Sequence, residues 1–258
     1  MNNPTSLKGF LLKVIEKITD FLLPKEEKVK LLEGLAPTDL FERIPRAEDF
    51  DLPVGEAGFE TDKVKAVFSY KNNLCRQAIW EIKYRANYTL IRNFSLLLYD
   101  FILDELSDLN TFENFKNILL IPTPSSKARE REKGFNQCVL ICRELVNIDQ
   151  ERNKNSNYLF TLVDDLLVKK VNTDRQSKTK NRKQRLENLK DTFMVNPFST
   201  TPTSEGHPSL NKEGKADIQN YSFIIIDDVI TTGATMNEAF RALKVAGAKK
   251  IRGFSLAH

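Results

Sequence analysis

The sequence predicts an α/β protein: a mainly parallel sheet flanked by helices, with an N-terminal helical extension. Three observations predict it. Phe223, Ile224, Ile225 and Ile226 form a short, largely β-branched apolar run, which suits a strand buried on both faces, as in a parallel sheet. A second run, Ile118, Leu119, Leu120 and Ile121, stops at Pro122, where a residue without an N–H takes the chain out of the sheet. Around these runs, strand patterns alternate with helical ones, which implies βαβ units. The 258 residues, 41% of them hydrophobic, suffice for one large domain or one domain with an appendage. Residues 1–59 are assigned to the extension and a linker, and 60–258 to the main domain, with 196–220 as an insertion within it.

Residues 7–23 place Leu7, Phe10, Leu11, Val14, Ile15, Ile18, Phe21 and Leu22 at helical spacing, and Pro24 ends the pattern. A helix packed on its own domain fits this stripe best. A membrane-surface or partner helix, with Lys8, Lys13 and Lys17 opposite, is the alternative. Its charges exclude a membrane span. Residues 25–35 form a second short helix stopped near Gly34. Pro37, Pro45, Pro53, Gly55 and Gly58 make residues 37–59 a linker. Residues 63–70 read as a strand, with Val64, Ala66 and Phe68 alternating, followed by helices over 71–85 and 90–109. After the strand at 117–121, residues 127–134 read as a charged loop with a hinge at Gly134, and a helix begins near Phe135. Residues 149–157 are a polar loop, 166–171 and 192–195 short strands, and 172–190 a Lys- and Arg-rich stretch turning helical near Lys180. Residues 196–220 have the composition of a mobile insertion. The apolar run of 221–226 is a strand, 235–246 a helix closed by Gly247, and 251–256 the last strand.

Chemistry concentrates where the run of 221–226 ends. Asp227 and Asp228 should lie at a strand's carboxyl end, where open α/β sheets place their ligands. Thr231, Thr232, Gly233, Ala234 and Thr235 then offer hydroxyls, a permissive glycine and the N-terminus of the next helix. That is an anion site, with phosphate the natural occupant. A phosphate cradle beside two carboxylates calls for a ligand with both an anion and hydroxyls, such as a ribose 5-phosphate. The stretch from Ile224 through Val229 to Thr235 resembles the phosphoribosyl pyrophosphate (PRPP) signature of type I phosphoribosyltransferases, which implies a type I phosphoribosyltransferase-like fold.

A second basic site lies at 122–137, where Arg129, Arg131 and Lys133 suit a pyrophosphate. This stretch resembles the ComF family of competence-associated, phosphoribosyltransferase-like proteins. It carries Pro122-Thr123-Pro124 and then Lys133-Gly134-Phe135-Asn136-Gln137. Lys83-Tyr84, Thr173-x-x-Gln176, Arg185-x-x-Asn188 and Phe193 match further family blocks in order. Two departures stand out. The four-cysteine zinc ribbon usual at the family's N-terminus has no counterpart among Cys75, Cys138 and Cys142, so zinc is not expected. Lys133 replaces the usual Arg, keeping the charge but losing the bidentate fork.

The resemblance implies a ligand, PRPP, with Mg²⁺ held through PRPP and water rather than by the protein directly. Asp227, Asp228, Val229, the 231–235 loop, Pro122, Thr123, Pro124 and Arg129 would bind PRPP. Asp227 and Asp228 would favour a ribose oxocarbenium, while Arg131 and Lys133 would stabilise the leaving pyrophosphate. Lys83, Tyr84, Asn136, Gln137, Gln176 and Arg185 would face the acceptor or a nucleic acid. It implies a phosphoribosyltransferase associated with DNA uptake, with single-stranded DNA and DNA-uptake proteins as further partners. The alternatives are a single-stranded-DNA-binding accessory protein without turnover and a PRPP-sensing regulator. The cluster of Lys169, Lys170, Arg175, Lys178, Lys180, Arg182, Lys183, Arg185 and Lys190 is either a solvated helix face or a nucleic-acid track. Three cysteines without Cys-x-x-Cys spacing exclude a disulfide scaffold. With no signal peptide and no membrane span, a cytoplasmic protein is expected.

Overall fold

The computed structural model describes residues 27–47, 63–154, 158–170, 191–196 and 218–258. Helices α1 (Glu27–Gly34) and α2 (Pro37–Arg43) precede strand β1 (Val64–Phe68). There follow α3 (Asn73–Arg85), α4 (Tyr88–Glu113), β2 (Ile118–Pro122), α5 (Lys127–Lys133) and α6 (Gln137–Arg152). Then come β3 (Phe160–Leu162), β4 (Leu167–Lys169), β5 (Phe193–Val195), β6 (Ser222–Val229), α7 (Ala234–Val245) and β7 (Lys250–Ala257). Five strands form one parallel sheet in the order β1-β7-β6-β2-β3, and β4 and β5 form a separate antiparallel pair.

The side-chain period of a strand assigns the faces. Along β6, Ile224 and Ile226 enter the core formed with α3, α4 and α6. Phe223 and Ile225 enter the core beneath α7 and the β4–β5 pair. All four are completely buried, as a strand covered on both faces requires. Gly253 in β7 lets α7 approach closely: a Cβ there would lie 2.7 Å from Met236 Sδ. The β4–β5 pair is fastened to α7 by buried Glu238, which accepts the Phe193 N–H at 3.0 Å and holds Arg241 at 2.8 Å.

Several elements depart from the sequence reading, each for a physical reason. The linker reading of 37–59 treats Pro37 as a breaker, yet Pro37 opens α2, where a missing N–H costs nothing. Leu40 and Ile44 are fully buried in the main core, and Arg46 bridges antiparallel to Phe68. The charged loop of 127–134 is helix α5, capped by Ser126, whose Oγ accepts the Arg129 N–H at 3.3 Å. None of its residues is buried, so no apolar stripe betrays it. The polar loop at 149–157 starts later than expected, because α6 runs to Arg152. Strand β3, three residues long, is absent from the sequence reading. Buried Asp149 secures it by accepting the Leu159 and Phe160 N–H groups at 2.7 and 3.2 Å and the Tyr99 hydroxyl at 2.9 Å. The strands expected at 166–171 and 192–195 pair with each other rather than with the main sheet. The helix expected at 7–23, the basic stretch of 172–190 with Gln176 and Arg185, and residues 197–217 lie outside the described residues. Among the described residues no helix is long and apolar enough to cross a membrane.

Candidate active site

Neighbouring parallel strands end on the same edge, and this brings the basic and acidic stretches together. Pro122 at the end of β2 pairs with Ile226 of β6. The Thr123 N–H continues the ladder, donating to the Ile226 carbonyl at 2.9 Å. The next residue of β6 is therefore opposite Thr123, and the Thr123 hydroxyl donates to Asp227 Oδ1 at 2.9 Å. Strand β6 runs on through both acids to Val229, so the carboxylates sit within its last turn of pleat rather than after it.

Asp228 shares the parity of Ile224 and Ile226 and meets α3 and α6. Its Oδ2 accepts from Lys83 Nζ and from Gln137 Nε2, each at 3.1 Å, and its Oδ1 accepts the Val229 N–H at 2.9 Å. The start of α6 is held in place by Asn136. Its Oδ1 caps the Cys138 N–H at 2.9 Å, and its Nδ2 donates to the Thr123 carbonyl at 3.0 Å. Gly134, at φ 80°, makes the turn from α5 into α6. The Lys133 ammonium stands 4.3 Å over the Tyr84 ring, so α5 and α3 touch beside the acids. On the far side of the acids, Gly233 (φ 75°) is the N-cap of α7, and the Ala234 N–H reaches Thr232 Oγ1 at 3.4 Å. The N-terminus of α7 thus opens on the 231–235 loop, as an anion site requires.

Burial, and then the neighbouring Asp228, push the Asp227 carboxyl up to about 7. Burial opposes the charge on Lys83, but attraction to Asp228 outweighs it and raises the ammonium's pKa. Lys133 is lowered, by burial first and by Lys83 second. Burial and the two acids hold the Cys138 thiol well above its ordinary value.

The structure brings together Asp227, Asp228, Thr123, Lys83, Gln137 and Asn136, with Tyr84 and Lys133 against them. Arg129 and Arg131 are exposed on α5 and make no hydrogen bond or ion pair with the acids. Gln176 and Arg185 lie outside the described residues. Cys138 is the residue that sequence reasoning missed. It reads as core packing, but its Sγ lies 3.2 Å from Thr123 Oγ1 and 3.6 Å from Asp227 Oδ1. Its place two residues after a capping Asn was the one available signal.

Ligand atoms of Cys138, Asp227 and Asp228 lie within 4.8 Å of one another. As a resident metal centre this set fits poorly, because Lys83 already occupies Asp228 and the thiol is held protonated. The hard carboxylate oxygens do suit a hydrated Mg²⁺ that arrives on a ligand.

A parallel sheet with paired acids at the end of β6, a hydroxyl-rich loop at the next helix and a Pro-rich turn from the adjoining strand define a type I phosphoribosyltransferase-like domain. Residues 162–257 match the family model described as "Phosphoribosyl transferase domain". Competence protein ComFC of Bacillus subtilis is 27% identical over 193 residues, covering 74% of this chain and 62% of that protein. Competence protein ComFC of Streptococcus pneumoniae is 27% identical over 192 residues, covering 74% and 66%. Competence protein F of Haemophilus influenzae is 26% identical over 138 residues, covering 54% and 49%. Each alignment thus spans less than two thirds of the relative's length. Over about three quarters of its length the chain is thus similar to competence proteins of the ComF family, and it carries a phosphoribosyltransferase-like domain.

Proposed function

We propose that the protein binds PRPP with Mg²⁺ at the carboxyl edge of its sheet and transfers the phosphoribosyl group to an acceptor, in the setting of DNA uptake that its relatives' names indicate. One observation carries this reading: Asp227 and Asp228 are tied at once to Thr123 of the β2 turn and to Lys83 and Gln137 of the flanking helices. A sugar phosphate then has its natural placement. The 5-phosphate takes the loop from Thr231 to Thr235 and the N-terminus of α7, and the ribose hydroxyls donate to the two carboxylates. The pyrophosphate points towards 122–137, where Arg129, Arg131 and Lys133 lie. In the displacement, the acceptor atom supplies the electron pair for the new bond to C1 and gives up its proton to solvent, while the bond from C1 to the pyrophosphate oxygen breaks and its pair leaves with the pyrophosphate. The acids stabilise the positive ribose, and the basic groups offset the charge on the leaving group. Bound Mg²⁺ would supply further neutralisation of that pyrophosphate. Calorimetric titration of PRPP with Mg²⁺ tests the reading. Binding that is absent, or that survives Asp227→Asn with Asp228→Asn unchanged, counts against it. A cytoplasmic location and contact with DNA-uptake proteins go with the proposal.

A second reading, binding of single-stranded DNA, draws on a different feature. Trp80, Tyr84 and Tyr88 are exposed, Arg85 stacks 5.0 Å over Trp80, and Lys133 lies over Tyr84. Aromatic faces among cations are how single strands are held without sequence readout. A salt-dependent gel shift that weakens in Trp80→Ala with Tyr84→Ala is the expected result. No shift at low salt would remove this reading. The two readings are compatible, because the fold does not fix one function.

A further inference from the structure

The chain enters the 231–235 loop through Ile230, and Ile230 is fixed in three ways. Its side chain is buried in the core beneath α7. Its N–H donates to the Ala257 carbonyl at 3.0 Å, directly after the Val229–Ala257 pair. Its carbonyl meets His258 Nδ1 at 2.8 Å. A carbonyl has no proton to give, so Nδ1 carries one and donates. His258, just after β7, is held in its turn by the end of β1. Its N–H donates to the Phe68 carbonyl at 3.0 Å, and its carbonyl accepts the Tyr70 N–H at 2.7 Å. One half-buried imidazole therefore ties the ends of β1 and β7 to the first peptide of the loop.

The peptide from Ile230 to Thr231 is trans, so its carbonyl and its N–H point in opposite directions. With the carbonyl on His258, the Thr231 N–H faces the other way. Among the described residues, no group accepts the N–H of Thr231, Thr232 or Gly233. Successive unpaired N–H groups make an anion-binding concavity, and these lead straight into the N-terminus of α7. We propose that His258 is a positioning residue for the 5-phosphate: it holds the Ile230 carbonyl away from the anion and keeps the Thr231 N–H turned towards it. The inference rests on the PRPP reading above. Without the donor, the peptide can rotate about its two soft flanking bonds. A carbonyl oxygen turned to the phosphate would then replace attraction by repulsion.

Calorimetric titration of wild type, His258→Leu and His258→Asn with ribose 5-phosphate tests this, with inorganic pyrophosphate and Mg²⁺ as the second probe. Leu and Asn are similar in shape, but only Asn carries an N–H donor. His258→Leu is expected to lose about tenfold or more for ribose 5-phosphate, the worth of one N–H bond to a charged group, with pyrophosphate affinity unchanged. His258→Asn is expected to recover most of that loss. Unchanged ribose 5-phosphate affinity in His258→Leu overturns the inference. A loss in His258→Asn as large as in His258→Leu overturns it as well, because the ring would then act by packing. Equal losses for both probes do the same, because the strand ends would then have loosened as a whole. Should His258→Leu fail to fold, amide NMR spectra of wild type and His258→Asn carry the test. Saturating ribose 5-phosphate is expected to move the Thr231 amide proton downfield in both, and a Thr231 amide that stays in place overturns the inference. In each of these cases the PRPP reading survives. A wild-type protein that does not bind ribose 5-phosphate overturns both.

Discussion

Replacing Asp227 by Asn should remove a pH dependence of stability that the native protein carries. Burial and the adjacent Asp228 raise the Asp227 carboxyl from 3.8 to about 7, and an unfolded chain restores the ordinary value. Between those values the folded state holds a proton that the unfolded state releases. The unfolded state then binds fewer protons, so stability falls as pH rises through this window and levels off above the native value. A proton shift is worth about 1.4 kcal/mol per unit. Integrated from pH 5 to pH 8, the loss amounts to roughly 2 to 3 kcal/mol. Asn keeps a carbonyl oxygen for the Thr123 hydroxyl but has nothing to titrate. Urea unfolding of both proteins across that range gives the difference, because titrating groups away from the two acids contribute equally to both. Wild type should lose stability relative to Asp227→Asn as pH rises. Parallel curves, or a difference of opposite sign, would refute the assignment of the proton to Asp227.

Three further outcomes follow from the same geometry. Thr123→Val removes the hydroxyl that favours the ionised acid, so the Asp227 titration in the same difference curve should move up by roughly one unit; an unchanged midpoint would show that the 2.9 Å contact has no weight. PRPP hydroxyls donating to Asp227 favour its charged form, so binding near pH 7 should release a proton, read as a buffer-dependent binding enthalpy; proton uptake instead would contradict the placement of the ribose. Asp149→Ala strands the Tyr99 hydroxyl and two backbone N–H groups and should cost about 3 kcal/mol or more in unfolding; a cost under about 1 kcal/mol would mean that β3 is held by other means.

What the sequence revealed and what it concealed follow one physical line. Apolar periodicity reports burial, so β6, β2 and α7, whose core-facing positions are mostly apolar, were readable to within a few residues. Elements fixed by polar groups gave no such signal. Strand β3 depends on Asp149, contributed by α6. Helix α5 depends on a Ser126 cap and carries only charged residues and one Ala. Helix α2 begins with the residue that usually argues against a helix. In each case the deciding partner is distant in sequence, or the deciding residue is small and ambiguous.

The candidate site divides in the same way. The acids and the loop after them are contiguous, so their chemistry was legible in a dozen residues. Their partners are not contiguous. Thr123 is 104 residues from Asp227, and Gln137 is 91 from Asp228. Sequence order gave Lys83 no reason to sit on Asp228. The sheet order supplies it, because β6 lies between β7 and β2 and its end is roofed by α3 and α6. A carboxylate buried at that position needs a cation, and α3 provides one from the last turn before its C-terminus, where a basic residue is also favoured by the helix dipole. Lys83 therefore has a partner in the fold even before any ligand is considered. That pairing explains how the site holds two adjacent buried acids, Asp227 with its carboxyl raised by burial and by its neighbour, and Asp228 tied to Lys83.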